Sequence, residues 1–221
     1  MGPRGDPARP DATETPDSGG HARRGGRLTV FSMSDRWPAW ATEPIEVVDP
    51  DPSWSDRAEQ LAIDLGQRLT SWLDGKVHHV GSTAVPGLAA KPVIDLMAPI
   101  VSGFPSEAVE CILCDAGWQF VPAELDRRPW RRFYVLPEGA RRTAHLHLVE
   151  RQHIRWRQTL AFRDALRGQP HLVDAYATLK RDLAQRHRDD REAYTAAKTE
   201  FVQRVLTTSG NASEPMCGGS D

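Results

Sequence analysis

Long apolar stretches are missing from this chain. No hydrophobic run approaches the roughly 18 to 20 residues that a membrane-crossing helix needs, so no membrane is expected as a partner. Cysteine is scarce as well: Cys111, Cys114 and Cys217 cannot all pair within one chain, which excludes a disulfide-stapled scaffold and fits a cytoplasmic location. Net charge is nearly absent, with 28 basic against 30 acidic residues, so no global field marks a nucleic acid as partner. Lysine is rare, Lys76, Lys91, Lys180 and Lys198 being the only ones, and arginine supplies the remaining cations. What the chain does have is a 39% hydrophobic content, enough for a core, in 221 residues that suit one domain with some excess.

The excess lies at the ends. From Gly2 to Arg27 there is no Leu, Ile, Val, Phe, Tyr or Trp, and 10 of the first 26 residues are Gly or Pro. Such a segment buries too little to offset its ordering entropy. Leu28, Val30 and Phe31 are too few to form the apolar core of a secretory signal. Residues 1–43 are therefore expected to be a disordered extension, 44–206 the folded domain and 207–221 a disordered tail.

Within the domain the hydrophobic period alternates. Ile45 to Val48 is a short apolar run. Trp54, Ala58, Leu61, Leu65, Leu69 and Trp72 recur at helical spacing behind Ser53 or Ser55 as cap, and Asp74-Gly75 ends that helix. Strands are expected at Val77 to Val80 and Val93 to Ile100. A helix opening at Pro105-Ser106 and stopped by Gly117 follows, then strands at Trp118 to Val121, Arg132 to Leu136 and Thr143 to Val149. After Glu150 the period is helical throughout: His153 to Arg167, a stripe of Leu172, Ala175, Tyr176, Leu179 and Leu183, and another of Tyr194, Ala197, Phe201 and Val205. The fold class is α/β, a mixed sheet with flanking helices and a C-terminal helical segment.

The segment richest in chemistry runs from His78 to Leu96. A strand ends in Gly81-Ser82, a loop with Thr83 and Lys91 follows, and a second strand carries Asp95 among apolar neighbours. Glycine permits close backbone approach, and hydroxyls with nearby amide protons can hold a phosphate. Lys91 can neutralise one. Arg127, Arg128, Arg131, Arg132, Arg141 and Arg142 cluster around two turns. Arg132, on a strand, is the best phosphate candidate among them, because guanidinium forks match phosphate oxygens. A plain turn, a carboxylate capping loop amides and solvated arginines are the structural alternatives. Cys111 and Cys114 have the spacing of a redox or zinc pair but no second ligand pair, and are expected to be packing residues.

Val80-Gly81-Ser82, twelve residues, then Asp95 resembles the signature of the nucleotidyltransferase superfamily. The blocks HVGSTAVPGLAAKPVIDL, HLHLVE and LAFRDALRGQPHLVDAYATLKRDLA together resemble the GrpB family within it. That resemblance implies a nucleotidyltransferase-like sheet, nucleotide phosphate at Gly81-Ser82 and a bacterial source; joined to the residue reading, it sets the expectation of a nucleotide or other phosphorylated small molecule at Gly81, Ser82, Thr83, Lys91 and Arg132, with catalytic roles for Asp95 and Lys91. It also implies a divalent metal (Mg, Mn or Zn) at Asp95.

The usual second carboxylate two positions on is replaced by Met97, which cannot ligate magnesium. His145 and His147 share one face of a neighbouring strand, so Asp95, His145 and His147 form a candidate transition-metal set; a hydrogen-bonded histidine pair is the alternative. Arg163, Asp164 and Lys180 in the third block are expected to tie helices to each other or to the sheet. GrpB-like domains also occur joined to dephospho-coenzyme A kinase. A catalytically silent accessory module with a protein partner, linked to coenzyme A metabolism, is therefore the second functional expectation. No Gly-x-x-x-x-Gly-Lys-Ser/Thr phosphate loop stands in this sequence.

Overall fold

A computed structural model of the chain describes Pro38, Trp40, Glu43, Pro44 and residues 46–187 and 191–211. Apart from the first three of these, the extension expected at 1–43 lies outside the described residues. So do residues 212–221 of the expected tail.

Five strands form one mixed sheet: β1 (His78–Val80), β2 (Ile94–Pro99), β3 (Gln119–Val121), β4 (Arg132–Glu138) and β5 (Arg141–Val149). Their spatial order is β1-β2-β5-β4-β3. All neighbours are antiparallel except β2 and β5, which run parallel in register Asp95↔His145 and Met97↔His147. The helices are α1 (Ser53–Arg68), α2 (Ser106–Asp115), α3 (Ala123–Asp126), α4 (Ile154–Gly168), α5 (Pro170–Arg186) and α6 (Arg191–Asn211). No helix among the described residues is long and apolar enough to cross a membrane.

Alternation decides what each sheet face meets. Ile94, Leu96 and Ala98 of β2 and Ala144, Leu146 and Leu148 of β5 share one face. They pack with Trp54, Leu65 and Leu69 from the first helical stretch and Val109 and Leu113 of α2. Fully burying a leucine side chain stabilises by about 1.5–3 kcal/mol, so this continuous layer fixes which face looks inward. Asp95, Met97, His145, His147 and Phe133 are forced to the other face. There Val80, Met97 and Val149 pack with Trp156 of α4, while Tyr176 of α5 packs with Val85, Leu88 and Leu166.

Some boundaries differ from the sequence expectation. The first helix ends at Arg68 rather than continuing to Trp72. Leu69 still buries fully, but Thr70 and Ser71 are weak helix formers, and the chain turns so that Leu73 bridges Ile100. Neither Ser53 nor Ser55 caps it. Ser53 instead donates its amide to Asp51 Oδ1 at 2.8 Å. The Ile45 to Val48 run is not a strand over its described residues but a single bridge, Val48 to Ala90, that pins the end of the Gly81 to Pro92 loop. The helix α3 was not expected, and α6 continues through Asn211, past the boundary at Leu206. N-terminal to Pro44, Trp40 is buried beside Val121 and Val135 and donates to Gln119 Oε1 at 2.7 Å.

Candidate functional site

The register Val80↔Asp95 brings the residue after β1, Gly81, against the Asp95 carboxylate. Gly81 has φ 71° and ψ −166°, a region open essentially to glycine alone. A Cβ placed there would stand 2.4 Å from Asp95 Oδ2. The glycine is therefore what allows the loop to reach the acid. Ser82 then opens a short 3-10 turn, Ser82–Ala84.

Asp95 collects the two histidines of β5. His145 Nδ1 lies 2.8 Å from Asp95 Oδ1 and His147 Nε2 3.6 Å from it. Phe133 supports both rings, edge-on to His145 and stacked on His147, each at 5.1 Å between centroids. Behind His147 stands Arg131, in the turn before β4, donating to its Nδ1. Arg131 is itself held by Asp126 of α3, with Nε 2.9 Å from Oδ2. The chain of contacts runs Asp126, Arg131, His147, Asp95, His145.

Burial alone would raise the Asp95 carboxyl. Hydrogen bonds from His145 and His147 and their charge more than reverse this, holding it well below the usual carboxylate range. Burial, reinforced by the Arg131 charge, lowers His147 to about 4 despite Asp95. The acid is thus anionic and His147 neutral at pH 7. Burial lowers Lys198 of α6 to about 8, opposed by Asp95 and reinforced by Arg128, so Lys198 lies within the field of the acid. The Asp95 side chain keeps 30% of its surface exposed, so its carboxylate is open to a ligand.

The donor atoms of Asp95, His145 and His147 all lie within 4.8 Å of one another. One carboxylate and two imidazoles suit a transition ion better than magnesium, which prefers an octahedron of oxygens. His145 Nε2, buried and without a hydrogen-bond partner, marks a polar cluster not fully satisfied by the protein. In number and type the donors fit an ion. Arg131 is the group that opposes it, because it occupies the outer nitrogen of His147.

The other sequence candidates are placed as follows. Lys91 stands half-buried in the turn before β2, its carbonyl accepting from Val93 at 2.8 Å. Thr83 is turned into the scaffold: its hydroxyl meets His79 Nε2 at 2.9 Å and donates to the Val93 carbonyl at 3.3 Å. Arg132 lies on the sheet face opposite Asp95. It pairs with Leu148 on the core face, reaches Glu110 Oε2 at 2.8 Å and covers the Phe120 ring. Cys111 and Cys114 are free and exposed.

Arg163 ties α4 to the sheet, as expected, at β1, while Lys180 holds the loop. Arg163 Nη1 donates to the His79 carbonyl at 3.0 Å, Arg167 Nε to that of Ala84 at 2.8 Å, and Lys180 Nζ to that of Ala89. Arg131, Asp126, Tyr176 and Lys198 were not expected at the site. For Arg131 a signal exists: it has the same parity as Phe133 and hence as the His147 face, whereas Arg132 has the parity of buried Tyr134.

Comparison with known proteins adds four findings. Residues 44–208 match the family model described as GrpB protein. The UPF0157 protein PA4798 of Pseudomonas aeruginosa is 39% identical over 178 residues, covering 77% of this chain and 70% of that protein. A dephospho-CoA kinase of Mycolicibacterium paratuberculosis is 29% identical over 204 residues, which is 80% of this chain but 49% of that enzyme. Among solved structures, GrpB from Enterococcus faecalis superposes with a TM-score of 0.67 at 29% identity, over 76% of this chain and 98% of that one.

Proposed function

The chain belongs to the GrpB family, and on that footing we propose that the recess beside Asp95 binds a nucleotide or related phosphorylated small molecule, in an arrangement that serves metal-assisted nucleotidyl transfer. The observation that carries this reading is the apposition of Gly81 and Asp95, with Ser82 next in the chain and Lys198 in the same field. A glycine that permits close approach, a hydroxyl and a cation are the parts a phosphoryl group needs. An acid alone would repel it. The sequence signature linking Gly81-Ser82 to Asp95 supports a nucleotidyltransferase-like site.

Asp95, His145 and His147 are the residues that would hold the ion, and its chemistry there is charge neutralisation beside the phosphoryl oxygens. The chain's own groups do the rest. Gly81 and Ser82 present backbone and hydroxyl to the phosphate, and Lys198 offsets its charge. Arg163, Arg167 and Lys180 hold carbonyls of β1 and the loop so that this edge of the recess stays in place.

Because Asp95 is anionic, ligand binding should depend on the ion. Calorimetry with each nucleoside triphosphate and with dephospho-coenzyme A, with and without Mn²⁺ or Zn²⁺, should show heat only with an ion present. Asp95→Asn should abolish that dependence, since it removes both the repulsion and a ligand. No heat with any of these compounds under any ion overturns the proposal.

A second reading is favoured by one observation, the match to half of a dephospho-CoA kinase together with Met97 where a second carboxylate is usual. In it the domain is an accessory module for an enzyme of coenzyme A metabolism and catalyses nothing. Retention of the partner and of the cellular role in Asp95→Asn supports this reading, and their loss argues for the first.

A further inference from the structure

The contact between Arg131 and His147 restricts what His147 can do. A guanidinium carries only donors and stays charged. His147 Nδ1 must therefore present its lone pair to Arg131, and in a neutral imidazole the ring proton then sits on Nε2, the atom that faces Asp95 Oδ1 at 3.6 Å. An ion between Asp95 and the two histidines needs the lone pair of that same Nε2. Metal-bound histidines almost always donate their outer N–H to an acceptor. Here the outer nitrogen meets a donor. The Arg131 contact and ligation by His147 exclude each other.

Arg131 is well placed to keep that contact. Its side chain is 8% exposed, its Nε and Nη2 are on the buried Asp126 carboxylate, and its guanidinium lies 4.1 Å from the centre of the Phe133 ring. Only Nη1 needs a new partner for His147 to be released. The natural competitor for a guanidinium nitrogen is a phosphoryl oxygen, which accepts charge-assisted hydrogen bonds more strongly than a neutral imidazole does.

We propose that Arg131 locks the ion site: it holds His147 in the tautomer that cannot ligate until a phosphoryl group on the incoming ligand takes over its Nη1, so that phosphate and metal bind cooperatively. This rests on the reading of Asp95, His145 and His147 as ion ligands. The ligand's anionic group arrives first, the guanidinium changes partner, and the proton on His147 moves to Nδ1 through solvent as Nε2 becomes free. Reciprocity follows, since whatever phosphate does for metal affinity the metal must do for phosphate affinity.

Titration with Co²⁺, followed by calorimetry and by the visible absorption of the ion, tests the lock with inorganic pyrophosphate as the anion. In the wild-type chain pyrophosphate should tighten Co²⁺ binding by about tenfold or more, and Arg131→Met should show about the same gain without any anion. His147→Ala placed on the Arg131→Met chain should remove the gain. Since loss of Arg131 leaves the buried Asp126 carboxylate with only the longer Arg128 contact at 3.5 Å, Arg131→Met with Asp126→Asn is the second variant.

Nitrogen-15 shifts of the His147 ring in the ion-free wild type need no variant at all. They should report the proton on Nε2, and a proton on Nδ1 overturns the lock. Co²⁺ binding by the wild type that neither pyrophosphate nor Arg131→Met strengthens overturns the lock and leaves the ion site standing. No Co²⁺ binding by either variant or the wild type, with or without pyrophosphate, overturns both.

Discussion

Gly81 concentrates much of the site's geometry in one residue. Its φ of 71° with ψ −166° is a conformation that costs a residue with a Cβ about 1–3 kcal/mol. The Cβ would also press on Asp95 Oδ2. Gly81→Ala should therefore lower stability by about 1–3 kcal/mol in urea denaturation and shift the Asp95 carboxylate enough to remove nucleotide binding. A variant that binds as the wild type does would show that loop and acid do not need their close approach. Gly81, Ser82 and Asp95 were legible in the sequence because they lie within fifteen residues of one another on a strand, loop and strand. Tyr176 and Lys198 were not, since they read as members of an apolar stripe and of a helix surface until α5 and α6 are folded over the loop. Arg132 was chosen over Arg131 because β4 carries apolar residues on both faces, so that its alternation does not say which arginine looks toward the histidines.

Among the elements, the C-terminal helices have a role beyond covering the sheet. Three cations of α4 and α5 donate to the carbonyls of His79 in β1 and of Ala84 and Ala89 in the loop that follows it. Buried or half-buried carbonyls without donors are costly, so the loop's shape depends on helices more than eighty residues away. Arg163→Met with Arg167→Met should speed hydrogen exchange at the Val85 and Leu88 amides by about tenfold while leaving the β2 and β5 amides protected. Uniform loss of protection across the sheet would instead make these arginines part of the global fold. All five strands and all helices but α3 could be read from period and punctuation. The pairing of β2 with β5, which joins Asp95 to His145, could not, because a parallel pair is set by the core under both strands rather than by a turn between them.

For the molecule as a whole, the near-zero net charge hides where ionisable groups are buried, and burial sets the pH response. His79 is lowered to about 4 by burial, opposed by Asp95 and reinforced by Arg167 and Arg163. Between about pH 4 and the ordinary value near 6.5, the unfolded chain binds a proton at His79 that the folded chain does not. Stability should therefore fall as pH drops through that window and be unaffected by this group above it. Lys180, 2% exposed, is lowered by burial to about 7. From about 7 up to its ordinary value near 10.5 the unfolded chain again holds the extra proton, so stability should rise with pH across that range. Each proton contributes at most about 1.4 kcal/mol per pH unit. Urea denaturation of the ion-free chain from pH 4 to 9.5 should thus give a stability that climbs in two stages. His79→Gln should reduce the lower stage, to which His147 also contributes, and Lys180→Met the upper, to which Lys198 also contributes. A curve that stays level between pH 7 and 9.5 would put Lys180 in water, and with it would go the idea that α5 grips the loop through a desolvated ammonium on the Ala89 carbonyl.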